Sequence, residues 1–210
     1  MMNDLVIYAA DIGSVARDRF GWWRRTTTPP SGYGGNLPGE LVKAVADDLD
    51  RGRPVALGFE CPLWMDLPRD AGELTRARNG ECDRAWSAGA GSGALATGIV
   101  QTAWILRELR PKAPTVRAFL DWHAFDKAKS GLFIWEAFVT KNAKADTHEG
   151  DATKATEAFG AMLPDPTPKS SVTQRGPEVN SLIGAALLRT GWTTDISVLG
   201  QSCLVIRAWK

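Results

Sequence analysis

Two short apolar runs, each followed by a carboxylate, constrain this fold more than any other feature of the sequence. Residues 5–10 (LVIYAA) lead into Asp11, and residues 55–59 (VALGF) lead into Glu60. Short apolar runs without polar alternation are typical of strands that are covered on both faces of a sheet. Because ligand sites in parallel sheets collect beyond the carboxyl ends of neighbouring strands, the two runs predict an α/β domain in which Asp11 and Glu60 face one crevice.

Composition places the chain among ordinary soluble domains. It has 210 residues, 44% hydrophobic and 23% charged, and Cys61, Cys82 and Cys203 show no paired spacing. Neither a disulfide framework nor a zinc site is predicted, and a cytoplasmic location is expected. No basic leader precedes the first apolar run, and no run approaches the roughly 20 apolar residues that span a bilayer, so no membrane partner is expected. The net charge of +1 means that any nucleic-acid contact must come from local patches.

The rest of the chain predicts a single domain over residues 1–210, with an insertion or lid at about 62–93. The aromatic segment 20–26 follows the first strand after a short turn, so we expect it to pair antiparallel with that strand. Helices are predicted at 40–49, 94–109, 151–163 and 177–190, further strands at 133–139 and 203–206, a loop at 29–39 and a flexible hinge at 88–93.

A third acid, Glu136, lies inside the predicted strand 133–139. A buried carboxylate is costly unless it is paired, hydrogen-bonded or bound to a metal. Together with Asp11 and Glu60 it suggests oxygen ligands for Mg²⁺ or Mn²⁺, and two such ions could activate water and stabilise the leaving oxygen of a phosphodiester. The alternative for each acid is a cap on a neighbouring helix or a turn.

The order of these motifs resembles a widespread family of predicted nucleases with a ribonuclease H-like fold. The resemblance spans nearly the whole chain and rests on Asp11-x-Gly13, Phe59-Glu60-Cys61-Pro62, Trp135-Glu136-Ala137-Phe138 and a late helix of small residues. It implies a mixed sheet with an antiparallel N-terminal hairpin, flanked by helices, and a distant similarity to Holliday junction resolvases. By this resemblance Asp11 and Glu60 would be the first two metal ligands, with a third acid near the start of the last core helix.

Two positions compete for that third acid. Residues 178–186 resemble the family's closing helix, but Asn180 stands where an acid would be ordinary, which leaves Glu178 as a substitute. His148 and Asp151, three residues apart at a predicted helix start, resemble the resolvase arrangement. A plain N-cap is the alternative for Asp151, and a loop histidine without a role is the alternative for His148.

Basic side chains would have to hold the nucleic acid. The candidates are Arg24, Arg25, Arg76, Arg78, Lys141 and Lys144, with Trp22 and Trp23 as possible stacking platforms. The two lysines follow the predicted strand that carries Glu136 and are better placed for a phosphate. The tryptophans could equally be packing residues, and the lysines could belong to an exposed solubilising loop.

The sequence therefore predicts a metal-dependent phosphodiester hydrolase that acts on nucleic acid, with two alternatives. One is a non-catalytic domain of the same fold that binds a partner or scaffolds an assembly, for which Asn180 would mark lost chemistry. The other is a sugar-kinase-like phosphotransferase, disfavoured because the chain lacks a second phosphate loop. A homodimer stays open. An active metal site requires Asp11, Glu60 and a third acid with carboxylates within roughly 4 to 6 Å of one another.

Overall fold

The computed structural model describes residues 4–81, 85–140 and 143–209. In chain order the elements are β1 (Val6–Asp11), β2 (Gly21–Thr27), β3 (Pro30–Gly35), α1 (Pro38–Asp50), β4 (Val55–Phe59), β5 (Trp64–Asp66), α2 (Gly89–Leu109), β6 (Ala118–Phe119), α3 (Trp122–Ala128), β7 (Leu132–Val139), α4 (His148–Ala161), β8 (Val179–Ser181), α5 (Leu182–Arg189) and β9 (Val205–Ala208). Within the described ranges, no helix combines the length and apolar character needed to cross a bilayer.

A mixed sheet forms the centre of the domain. Its strands lie in the order β3-β2-β1-β4-β7-β6, and β9 pairs with the second half of β7. The hairpin of β2 and β3 is antiparallel to β1, whereas β1, β4, β7, β6 and β9 are parallel. The predicted α/β class and the antiparallel partner of the first strand are confirmed.

Helices cover both faces of this sheet, which explains the apolar runs. In β1, Tyr8 and its alternate neighbours pack with α1, α2 and α5, whereas Ile7 and its alternate neighbours pack with α3 and α4. All six residues of β1 and all five of β4 are buried. A strand between two helical layers has no solvent-facing side, so no alternating pattern is possible.

The predicted loop at 29–39 is wrong in part, because residues 30–35 form the edge strand β3. A Cβ at Gly32 would lie 2.6 Å from Nε1 of Trp23, and a Cβ at Gly34 would lie 2.2 Å from the carbonyl oxygen of Trp22. The glycines let this strand lie flat against the tryptophan-bearing strand β2. Pro30 is tolerated because it begins an edge strand.

Two further boundaries differ from the sequence prediction. Residues 89–93 belong to the first turns of α2 and do not form a hinge; a Cβ at Gly91 would lie 2.2 Å from the carbonyl oxygen of Ala85. The helix expected from residue 177 begins at Leu182, since residues 179–181 form β8 and pair with β5 in a separate two-stranded sheet. Within the segment at 62–93, Trp64 and Arg78 are each 1% exposed, so packing fixes this segment to the domain.

Candidate metal centre

Two acids meet at one end of the sheet because β1 and β4 are parallel neighbours. Asp11 is the last residue of β1, and Glu60 directly follows β4. Ala10 is in register with Phe59, and the amide of Glu60 donates a hydrogen bond of 2.8 Å to the carbonyl of Ala10. The structure thus places the two carboxylates side by side, as the strand ends led us to expect.

Asp151 reaches the same point from the first turn of α4. The helix is capped by Thr147, whose Oγ1 accepts a hydrogen bond of 3.0 Å from the amide of Gly150. One carboxylate oxygen from each of Asp11, Glu60 and Asp151 lies within 4.8 Å of the others. An acid in a first helical turn is favoured by the helix dipole, and here it also brings the third carboxylate to the strand ends.

Gly21 allows α4 to come this close. It is in register with Asp11 across the hairpin, and the backbone of α4 lies directly over it. A Cβ at Gly21 would lie 2.3 Å from both the carbonyl carbon of His148 and the amide nitrogen of Glu149. Only glycine fits under the helix start, so Gly21 sets where His148 and Asp151 stand.

Among the described lysines and arginines, Lys144 is the one that forms salt bridges with acids of this cluster. Its Nζ lies 2.8 Å from Oδ2 of Asp151 and 3.6 Å from Oε1 of Glu60, and the side chain is 41% exposed. The amide of Ala145 donates a hydrogen bond of 2.6 Å to Oδ1 of Asp151. Asp151 is therefore well compensated without a metal.

The other two acids are less well compensated. Burial and the neighbouring Asp11 carboxylate raise the pKa of Glu60 well above its ordinary value, although Lys144 opposes the shift. Burial also raises the pKa of Asp11, against the lowering effects of His148 and Lys144. Oε2 of Glu60 is buried and accepts no hydrogen bond from the described residues. The cluster thus has an excess of negative charge and a buried oxygen without a partner.

His148 completes the immediate surroundings of Asp11. Its Nδ1 hydrogen-bonds Oδ2 of Asp11, and the side chain is 37% exposed and lines the adjoining cleft. Because Nδ1 is engaged in this contact, Nε2 is the remaining ring nitrogen.

Glu136 lies in the same cleft but has a different environment. Arg78 donates to both of its oxygens, at 2.8 Å and 2.6 Å, and the amide of Leu63 donates to Oε2 at 2.9 Å. Arg78 also pairs with Glu81 at 2.8 Å. The charge of Glu136 is taken up by a buried ion pair with Arg78, and Glu136 lies outside the cluster of three acids; its supporting role stays a prediction.

Glu178, the other candidate for the third acid, lies elsewhere. It immediately precedes β8 in the small sheet, its side chain is exposed, and its backbone carbonyl accepts a hydrogen bond from the amide of Leu67. Asn180, within β8, is also exposed and lies in the small sheet. Of the two positions that competed in the sequence, the structure brings Asp151 to the strand ends and leaves Glu178 out of the acidic cluster.

The predicted phosphate contacts have mixed outcomes. Arg24 is wrong as a surface contact: it is 7% exposed, and its Nε donates to Oδ2 of Asp48 at 2.7 Å. Arg76 is exposed, pairs with Glu73 and does not line the cleft. Lys144 lies at the acids, and Lys141 falls outside the described residues.

Asp11 and Glu60 open onto a cleft of about 420 Å³. Its walls come from the turn after β1, the start of α2, the end of β7 and the start of α4, and its lining includes Asp11, Glu60, Glu136, Lys144 and His148. Three of these were expected from strand ends. Arg78, a candidate for nucleic-acid contact, is instead buried and paired with Glu136, because the sequence does not say which residue partners a buried glutamate. The role of Gly21 was missed.

Fold and site together define an α/β protein with a carboxylate-lined cleft at the carboxyl ends of its parallel strands. Comparison of the chain with family models, with curated proteins and with solved structures gives no match.

Proposed function

We propose that this chain hydrolyses phosphodiester bonds of nucleic acid with Mg²⁺ or Mn²⁺, on a ribonuclease H-like fold. The observation that carries the proposal is the meeting of Asp11, Glu60 and Asp151 within 4.8 Å of one another. Asp11 and Glu60 also line a cleft, and Asp151 is buried behind them. The antiparallel hairpin beside the first of several parallel strands supports the fold assignment. His148 and Asp151 stand three residues apart in the first turn of α4, the spacing that resembles the resolvase arrangement.

The residues of the cluster fit a hard divalent cation. All three offer carboxylate oxygens, which Mg²⁺ and Mn²⁺ prefer, and the buried Oε2 of Glu60 has no partner among the described residues. Burial raises the pKa of both Glu60 and Asp11, and the neighbouring Asp11 carboxylate raises that of Glu60 further; a bound cation would favour their charged forms. When bound, such ions supply Lewis-acid stabilisation of the phosphoryl oxygens and a water of lowered pKa.

The side chains around the cluster have separate tasks in this reaction. Asp11 orients His148 through Nδ1, which leaves Nε2 to exchange a proton with water or a leaving oxygen in the cleft. Before a metal binds, Lys144 holds Asp151 in place through its 2.8 Å contact. Glu136 and Arg78 line the cleft, and their buried ion pair keeps this part of the lining in place.

A cleavage assay tests the proposal. Labelled DNA and RNA in single-stranded, duplex and branched forms are incubated with Mg²⁺ or Mn²⁺ and wild-type protein, Asp11→Asn, Asp151→Asn, or the control Asp126→Asn, which changes an exposed acid on α3. We expect metal-dependent cleavage by wild type and control, reduced on the order of 100-fold or more in the two ligand variants. Equal cleavage by wild type and Asp11→Asn, or cleavage that survives EDTA, would contradict the proposal.

The non-catalytic alternative has one observation in its favour. Lys144 already places a cation against Asp151 and Glu60, so the acids could form a structural ion-pair network. A network of this kind would bind no divalent ion, and the melting temperature of the protein would not change when Mg²⁺ or Mn²⁺ is added. A rise in melting temperature that is lost in Asp11→Asn would exclude it.

A further inference from the structure

The turn between β1 and β2 presents two arginines to the cleft. Arg17 and Arg19 are both exposed and both line it. Neither forms a salt bridge to an acid in the described parts of the chain. The other lysine and arginine side chains of the lining already form salt bridges. Lys144 pairs with Asp151, and Arg78 pairs with Glu136 and Glu81.

Backbone contacts hold these arginines in position. The amides of Arg17 and Arg19 both donate to the carbonyl of Ser14, at 3.0 Å and 2.9 Å. The turn packs so tightly that a Cβ at Gly13 would lie 1.6 Å from the carbonyl oxygen of Arg19. Gln101 of α2 fastens the turn through a 2.5 Å hydrogen bond from Nε2 to the carbonyl of Gly13. The two guanidinium groups therefore extend from a fixed support.

An aromatic ring lies in the same cleft. Trp86 is half-buried just before α2, and its Nε1 donates a hydrogen bond of 3.1 Å to the carbonyl of Arg76. That bond anchors the edge of the indole, and the side chain lines the cleft. Cationic side chains combined with an aromatic platform are the components of single-strand binding sites, because backbone phosphates contact the former and unpaired bases stack on the latter.

We infer that the cleft receives an unpaired nucleic-acid strand, with Arg17 and Arg19 binding phosphates next to the scissile one and Trp86 stacking on a base. The inference rests on the proposed function and specifies its substrate class. A cleft of about 420 Å³ has the size of sites that enclose one small-molecule-sized group, which suits a nucleotide of a single strand. The carboxylates of the cluster would repel an approaching phosphate. Arginines without a salt-bridge partner in the described residues offer it a positively charged place to bind in the same cleft.

Binding is measured by fluorescence anisotropy with a labelled oligodeoxynucleotide, an oligoribonucleotide and a duplex of the same sequence, all in EDTA so that the probe stays intact. The variants are Arg17→Gln/Arg19→Gln and Trp86→Leu. The matched controls are Arg69→Gln, an exposed arginine outside the cleft, and Trp209→Leu, an exposed tryptophan near the C-terminus.

We expect wild type and both controls to bind single strands more tightly than the duplex. The arginine double variant should lose about 1.4 from the slope of log Kd against log salt, the value for two phosphate contacts on a single strand. Trp86→Leu should weaken single-strand binding about tenfold with little change of slope. An unchanged slope in the double variant, or duplex binding as tight as single-strand binding, would overturn the inference.

The outcome is separable from that of the cleavage assay. Asp11-dependent cleavage with an unchanged KM in Arg17→Gln/Arg19→Gln would leave the proposed function standing and refute the role of the arginines. Arginine-dependent single-strand binding without cleavage by wild type would refute the proposed function and leave a single-strand binding site.

Discussion

The ammonium group of Lys144 lies 2.8 Å from Oδ2 of Asp151, inside the same cluster of acids that fits a divalent cation. It also lies 3.6 Å from Oε1 of Glu60. One side chain thus neutralises part of the cluster without a metal and competes for the oxygens that a metal would use. Metal binding is expected to displace Lys144 from these contacts.

Replacing Lys144 therefore has opposite effects on the two states of the site. In Lys144→Met, the metal-free protein should melt at a lower temperature than wild type because the buried acids lose their counter-charge. Its affinity for Mn²⁺ should rise, on the order of tenfold, since a competing cation has gone. Isothermal titration with Mn²⁺ and thermal melts in EDTA measure both effects. Weaker Mn²⁺ binding would show that Lys144 assists the metal and does not compete with it.

Gly21→Ala tests how α4 is placed. The new Cβ would lie 2.3 Å from the backbone of His148 and Glu149, so the first turn of α4 must shift away from β2. We expect a loss of about 1 to 3 kcal/mol in the free energy of unfolding and a more than tenfold loss of Mn²⁺ affinity. The control is Gly39→Ala in the first turn of α1, where no atom lies within 4 Å of the added Cβ. Equal Mn²⁺ affinities in the two variants would contradict this role of Gly21.

Glu136→Gln separates a structural acid from the acids of the proposed metal site. Arg78 and Glu136 have side-chain exposures of only 1% and 2%. The substitution removes one of the two carboxylates that pair with the buried Arg78. Urea denaturation should show a loss of about 3 kcal/mol or more in unfolding free energy. Mn²⁺ affinity should change far less than in Asp11→Asn. A fully stable Glu136→Gln protein that has lost Mn²⁺ binding would assign Glu136 to the metal.

Asp48 should give the protein a pH-dependent stability. Burial alone would raise the pKa of Asp48, but hydrogen bonds from Arg24 and Tyr8 outweigh burial and hold it below its ordinary value. A carboxylate with a lowered folded-state pKa contributes stability above its unfolded-state pKa of about 3.9, and this contribution is lost as the pH falls through the folded-state value. Asp48→Asn should therefore cost about 3 kcal/mol at neutral pH, and the difference from wild type should shrink below about pH 4.

Urea titrations of wild type and Asp48→Asn at neutral pH and near pH 3 measure that difference. Asp47→Asn, one residue away on the exposed side of α1, is the matched control and should show only a small effect at either pH. A difference between wild type and Asp48→Asn that stays constant with pH would contradict the charged state of Asp48.

The sequence predicts the parts of this site that depend on strand ends. Asp11 and Glu60 follow apolar runs, and a parallel sheet brings such ends together by geometry alone. The third acid could not be chosen from sequence, because the choice between Asp151 and Glu178 depends on which helix packs against β1 and β2. That packing rests on the apolar face of α4 and requires Gly21, whose role is visible only once the backbone of α4 lies over it.

Arg24 was predicted to be an exposed phosphate contact and is buried instead. In the sequence it stands in a run of tryptophans and arginines that suggested an exposed basic surface. In the structure it is in register with Tyr8, and both side chains meet Asp48 of α1. The sequence of a strand does not say which face of the sheet a charged side chain occupies. For Arg24, the buried Asp48 of α1 stabilises the face that packs against this helix.

The most direct test of the metal centre is a crystal structure of the protein soaked with Mn²⁺, with the ion located by its anomalous scattering. We expect an anomalous peak among Asp11, Glu60 and Asp151, within about 2.2 Å of one oxygen of each carboxylate. Lys144 should have moved away from Asp151. No peak at these three carboxylates at millimolar Mn²⁺, with Lys144 still bridging Asp151 and Glu60, would contradict the proposed metal centre.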